Sequence, residues 1–173
     1  MENKIKIILI ELKPGMVSKN YISWMNTKEI MKFTEQRFSN HTERKVKKFV
    51  SLKKNSKDEF LFGIFLILEK NKIHIGNIKL GPINFIHKTA EISYFIGDKN
   101  YHNKGIGSLA IRDILIIAKK RFGLKKITAG VYSNNISSTK VLLKNKFKLE
   151  GTLKKQYQYK KTRVNGLIYG KYL

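Results

Sequence analysis

Hydrophobic and polar positions change period several times along the chain, and each change marks an element. Residues 4–12 alternate weakly and stop at Lys13-Pro14-Gly15, which predicts a strand running into a turn. Ser18 stands where it can cap a helix reaching about Asn26, and Thr27 can cap a shorter one over residues 28–33. A polar loop over 34–41 leads to Thr42, the predicted cap of a basic helix that turns Val46, Phe49, Val50 and Leu52 inward. Residues 59–68 are almost continuously apolar, as in a strand buried on both faces. Lys70-Asn71 predicts a turn into a third strand over 72–80, in which Gly76 signals a bulge or a close backbone approach and Gly81-Pro82 an end.

The pattern over 89–122 organises the rest. Residues 89–96 read as a strand, a loop closes on Lys104-Gly105-Ile106-Gly107, and a helix follows over 107–122. In it, Leu109, Ile111, Leu115, Ile116 and Ala118 recur at the spacing of a buried face, with Arg112, Lys119, Lys120 and Arg121 opposite. Residues 126–132 form a fifth strand, and alternating segments over 153–159 and 163–172 predict a closing hairpin. No internal repeat or low-complexity linker interrupts this order. With 42% hydrophobic residues in 173, the chain is long enough for one well-buried core and short for two, so 1–173 is expected to be a single domain.

The formal net charge of +24 suggests a polyanionic partner. Against that, the basic residues are overwhelmingly lysine in a chain also rich in Ile and Asn, which fits lysines scattered over a solvated surface. A nucleic-acid-binding protein stands as a reading of a different class, without a helix-turn-helix or zinc motif to support it. The lack of cysteine removes thiol nucleophiles, disulfides and cysteine metal sites, and the four dispersed histidines suggest no metal. The longest apolar run, 60–68, is far short of the roughly 20 residues that span a bilayer. The opening apolar run lacks the features of a signal peptide. A cytoplasmic protein without a membrane span is the expectation.

Glycines let the backbone turn until successive N–H groups point one way, and the following helix adds its positive N-terminal end, so 102–108 reads as a phosphate cradle. Gly105-x-Gly107-x-x-Ala110 matches the short dinucleotide fingerprint. That fingerprint, however, wants its first glycine at the strand end and an acidic residue closing the next strand. Neither is present here. His102-Asn103-Lys104-Gly105-Ile106-Gly107 instead resembles the pyrophosphate loop of the GCN5-related N-acetyltransferases, with His102 in a slot usually held by Arg or Gln. Ala90-Glu91-Ile92-Ser93-Tyr94-Phe95-Ile96 is similar to that family's fourth strand. Asn135, Ser138 and Phe147 fall in register with its Asn-x-x-Ser, helix, Gly-Phe element, Lys146 replacing the glycine.

The resemblance implies an α/β (α+β) fold: a mixed central sheet of about seven strands, the fourth and fifth splayed, flanked by about four helices. It implies acetyl-CoA as cosubstrate, with the pantetheine arm along the backbone of Tyr94, Phe95 and Ile96 and against Asn135. The pyrophosphate would rest on His102, Asn103, Lys104, Gly105, Ile106, Gly107 and Ser108. Within the family the chain looks like the branch holding ribosomal-protein alanine and amino-sugar N-acetyltransferases. Glu91 is then the expected base. The slot where many relatives carry an acidic tyrosine is Leu142, leaving Ser138 as the hydroxyl near the departing sulfur. Trp24, Glu35, Gln36 and Arg37 are the expected acceptor wall, the Arg37 fork suiting a diphosphate. The first expectation for the acceptor is a nucleotide-linked amino sugar of surface polysaccharide synthesis, and the second a protein N-terminus, with the protein a monomer or homodimer. A domain that binds coenzyme A without turnover is a third reading, motivated by His102, Leu142 and Lys146.

Overall fold

A computed structural model describes residues 5–69 and 71–173; Lys4 of the predicted first strand and Lys70 of the predicted turn lie outside the described residues. Seven strands form one sheet: β1 (Ile7–Glu11), β2 (Phe60–Leu68), β3 (Asn71–Asn84), β4 (Thr89–Ile96), β5 (Lys126–Tyr132), β6 (Lys148–Tyr159) and β7 (Thr162–Tyr172), in the order β1-β2-β3-β4-β5-β7-β6. All neighbours are antiparallel except β4 and β5, which run parallel. A parallel pair needs a long crossover, and α4 (Ile106–Phe122) supplies it.

Pairing between β4 and β5 lasts for three positions only: Thr89 with Lys126, Ala90 with Ile127 and Glu91 with Thr128. Past Glu91, β4 remains paired with β3 as far as Ile96, and β5 with β7 as far as Tyr132. The two strands therefore splay, and the β5-facing backbone edge of residues 92–96 is left open.

Helices cover both faces. Ile106, Ala110, Ile111, Ile114, Leu115 and Ala118 of α4, with Leu142 of α5 (Ile136–Lys144), pack on one side against Phe62, Ile64 and Leu66 of β2. Tyr21, Trp24 and Met25 of α1 (Lys19–Asn26), Met31 of α2 (Lys28–Met31), and Val46 and Val50 of α3 (Glu43–Lys54) pack on the other with Leu61 and Phe65. The continuous apolar run of β2 serves both cores. Ile111 and Ile114 are fully buried, contributing about 1.5–3 kcal/mol each relative to exposure, more than intrinsic helix preference supplies per residue.

Several expectations shift. On α3, Leu52 is 60% exposed because it sits about 200° round the helix from buried Val50. The buried stripe of α4 includes Ala110 and Ile114, leaving Leu109 half-buried and Ile116 exposed for the same reason. Thr27 does not cap α2 with its side chain; its hydroxyl donates to Ser23 O (2.8 Å), and the helix is a single turn. Gly81-Pro82 does not end β3. A register shift between Leu80 and Ile83 carries the strand past the proline, where a missing N–H breaks no ladder bond. Gly76 meets its expectation doubly: a register shift lies opposite it between Ile64 and Phe65, and a side chain there would collide with Phe95 O.

Candidate active site

The loop between β4 and α4 opens with Asp98, whose carboxylate accepts from Asn100 N (2.9 Å) and starts a short 3-10 turn over Lys99–Tyr101. Asn103 (φ +58°) and Gly105 (φ +78°) are left-handed, a conformation that asparagine tolerates and glycine takes freely. At Gly105 the backbone angle is the whole requirement, since a Cβ there would meet nothing within 4 Å. Gly107 is the reverse case: its angles suit any residue, but a Cβ would lie 2.9 Å from the Tyr94 ring. Among the described residues, the five N–H groups from Asn103 to Gly107 have no backbone acceptor, whereas Ser108 N already bonds to Gly105 O (3.0 Å). Such a run of donors at a 17-residue helix's positive end is suited to an anion.

Side chains around the loop have mixed roles. His102 Nε2 donates to Ile96 O (2.9 Å), tying the loop to the end of β4. Ser108 Oγ accepts from Asn145 Nδ2 (3.0 Å), which fastens α4 to the exit of α5. Lys104 is exposed, its ammonium 5.6 Å from the Tyr101 ring centroid.

A cleft of about 600 Å³ occupies the splay. Tyr94, Phe95 and Ile96 line one wall, Gly130, Val131 and Tyr132 the other, and His102, Asn103, Gly105, Ile106 and Gly107 the end formed by the loop. Asn135 and Ser138 enter from α5 as a closed pair: Asn135 Oδ1 accepts from Ser138 N (3.3 Å), and its Nδ2 donates to Ser138 Oγ (3.2 Å). Tyr94 adds a group that the sequence reading credited only for its backbone. Burial pushes its hydroxyl pKa up, and the Ser138 hydroxyl beside it partly offsets that. The missing signal was strand phase: residue 94 shares a face with buried Ile92 and turns its ring toward Gly107. Leu142, in the slot where a tyrosine was looked for, is buried core.

Glu91 is exposed at the last paired position of β4 and, like Glu35, Gln36 and Arg37, lies outside the cleft's lining. It and Glu35 both push the Tyr157 hydroxyl pKa up, after the larger effect of burial. Tyr132 stacks on Tyr157 (4.0 Å between centroids) and Phe33 on Tyr159 (5.3 Å). The Tyr132 hydroxyl donates to Glu35 Oε1 (2.8 Å) and accepts from Arg37 Nη1 (2.8 Å). Arg37 also donates to Thr34 O (2.9 Å) and Gln158 O (2.8 Å), so its fork is committed to fastening residues 34–38 onto β5 and β6. The Gln36 side chain is exposed, while its carbonyl accepts from His41 Nε2 (2.9 Å). Trp24, expected on the acceptor wall, does not line the cleft. It is 8% exposed and wedged against Gly97 and the His74 ring, where the second core takes it up.

Among the described residues, no group of three or more His, Asp or Glu side chains could hold a metal ion, and no helix is long and apolar enough to cross a membrane.

A splayed parallel pair holding a cleft, with a run of free N–H donors and a helix N-terminus at its mouth, has the shape and polarity that suit an extended, phosphate-bearing ligand. A family model described as "Acetyltransferase (GNAT) domain" matches residues 7–148, and the chain belongs to that family. It is 34% identical over 111 residues to the probable N-acetyltransferase YjcK of Bacillus subtilis, covering 64% of this chain and 57% of that one. It is 32% identical over 91 residues to the ribosomal-protein-serine acetyltransferase of Escherichia coli, covering 53% and 50%. The chain thus spans about half the length of these curated relatives. In fold it is similar to the spermidine N-acetyltransferase of Vibrio cholerae solved with CoA and spermine (TM-score 0.83, 20% identity, 96% of this chain and 95% of that one).

Proposed function

We propose that the protein moves the acetyl group of acetyl-CoA to a primary amine by direct transfer in a ternary complex, with the whole chain acting as one domain. The observation that carries this reading is the open edge of β4 ending beside five unpartnered N–H groups: an extended arm and a pyrophosphate need those two features in that order. Acetyl-CoA supplies an acyl group already activated as a thioester. The edge of residues 92–96 binds the arm as an added strand, and a backbone N–H there serves the oxyanion. Asn103 to Gly107 bind the pyrophosphate, and Asn135 closes on the arm. Glu91 takes the proton of the incoming ammonium. Tyr94 and Ser138 together hold a proton for the departing thiolate, the partly buried tyrosine staying protonated at neutral pH.

For the acceptor, the expectation of a nucleotide-linked amino sugar drew in part on the Arg37 fork, whose Nη1 and Nη2 already donate to Thr34 O, the Tyr132 hydroxyl and Gln158 O. The carboxylates of Glu35 and Glu91, with the aromatic rings of Phe33 and Tyr132, favour an amine on a body without phosphates, and we take a peptide N-terminus as the first candidate. The similarity to the E. coli ribosomal-protein-serine acetyltransferase supports this. A nucleotide-linked amino sugar remains the second reading, favoured by the stacked rings, on which a base can lie.

Calorimetric titration with acetyl-CoA tests the cofactor site. Asn103→Asp puts a carboxylate into the cradle without adding bulk, in a backbone conformation that aspartate accepts. Binding weakened at least tenfold is expected. Unchanged affinity in the variant, or none in the wild type, would overturn the assignment. A screen of N-terminal peptides against nucleotide-linked amino sugars then separates the acceptors.

A further inference from the structure

A second concavity, of about 360 Å³, lies where the outer face of α4, the exit of α5 and the end of β7 meet, and it shares no lining residue with the acetyl-CoA cleft. Its apolar floor includes Leu115 and Ile116. Five cations line it, Arg112, Lys119, Lys144, Lys146 and Lys171, and no Asp or Glu does. Asp113 pairs with Arg112 (2.9 Å) from outside this lining, leaving the four lysines without a salt bridge among the described residues.

Two details set this basic region apart from scattered surface lysines. The Lys171 ammonium is held in place, donating to Asn145 O (2.7 Å), and its pKa is pushed down by burial first and by the Lys146 charge second. Lys146, in the slot where the sequence resemblance calls for glycine, adopts φ +64° at the exit of α5 and contributes to the same concavity. Lys88 and Lys160 take that conformation in hairpin turns, so the angle alone marks nothing. Here it places a second positive charge near one that is already partly desolvated. Like charges beside an apolar floor repel each other until an anion joins them.

We propose that this concavity binds a small organic anion, a phosphate or carboxylate on an apolar body. Lys146 and Lys171 hold the anionic group, and Leu115 and Ile116 take the body. Its volume falls in the range of small-molecule sites. A second copy of this strongly cationic chain is the wrong occupant electrostatically.

The test is calorimetric titration of the full chain with phenyl phosphate, benzoate and inorganic phosphate, with and without saturating acetyl-CoA. Expected is one site for phenyl phosphate or benzoate, at least tenfold tighter than inorganic phosphate and unaffected by acetyl-CoA. The better of the two organic probes identifies the head group. Lys146→Gly and Lys171→Gln should each weaken binding at least tenfold. Lys48→Gln, which removes one exposed charge from α3, should leave it unchanged. Lys146→Gly relieves a left-handed lysine, so its melting temperature should not fall, and lost binding then reports the site rather than misfolding. No binding, equal losses in all three variants, or displacement by acetyl-CoA would each overturn the proposal. Those outcomes mean, respectively, no site, diffuse charge attraction, or part of the coenzyme site.

Discussion

Gly105 and Gly107 look interchangeable in the sequence, yet one is required for its backbone angle and the other for the ring against it. Tyr94 is that ring, and its value depends on which face of β4 it occupies. With the hydroxyl beside Ser138, Tyr94→Phe should lower kcat about 10- to 100-fold while leaving acetyl-CoA affinity within twofold, because only proton delivery is lost. Steady-state kinetics paired with calorimetry separates the two quantities. An equal loss of affinity would make Tyr94 a wall of the cleft and nothing more. Glu91→Gln should remove the acidic limb of the kcat/KM profile, and a limb that persists sinks the assignment of Glu91 as base.

Among elements, the short segment 34–38 is fixed chiefly by what Arg37 reaches. Its bonds to Tyr132, Thr34 and Gln158 join a 3-10 turn to two strands far away in sequence. Arg37→Met should therefore raise the acceptor KM several-fold with acetyl-CoA affinity unchanged. It should also cost about 1–2 kcal/mol in urea unfolding, the scale of charge-assisted hydrogen bonds discounted for partial exposure. Direct diphosphate recognition by Arg37 would show instead as a loss specific to phosphorylated acceptors. α4 teaches a related lesson. Its limits were readable because Gly105 and Gly123 bracket one apolar stripe, which closes where Gly123 N donates to Lys119 O and Leu124 N to Ala118 O (3.1 Å each). Which neighbouring positions faced inward was decided by the sheet beneath.

Across the whole molecule, the largely buried imidazole of His74 links stability to pH. Its Nε2 donates to Gly76 O (3.0 Å) and Asn77 Oδ1 (2.8 Å), while Nδ1 is buried without a partner among the described residues. Burial pushes its pKa below the ordinary 6.5. The folded protein thus keeps the ring neutral while the unfolded chain gains a proton as pH falls through 6.5. Stability present above that pH is lost progressively down to the folded value. Thermal melts between pH 7.5 and 5 should show this fall, and His74→Phe should lack it at the expense of a pH-independent loss from stranding Asn77. Glu59, held below the usual carboxylate range by Lys53 and Lys79 against the opposing effect of burial, loses its contribution only at lower pH. The two windows can therefore be told apart.

The sequence by itself determined the elements and their order, because periodicity, caps and glycines act within a few residues. It placed strands β4 and β5 with their limits, the glycine loop between β4 and α4, and Asn135 and Ser138 one helical turn apart. Contacts between residues far apart in the chain were beyond its reach. The commitment of Arg37 to Tyr132 and Gln158, the burial of Trp24 against Gly97, the inward turn of Tyr94 and the second basic concavity all arise where segments tens of residues apart meet. Such meetings are fixed by the packing of two cores on one sheet, which no local pattern encodes.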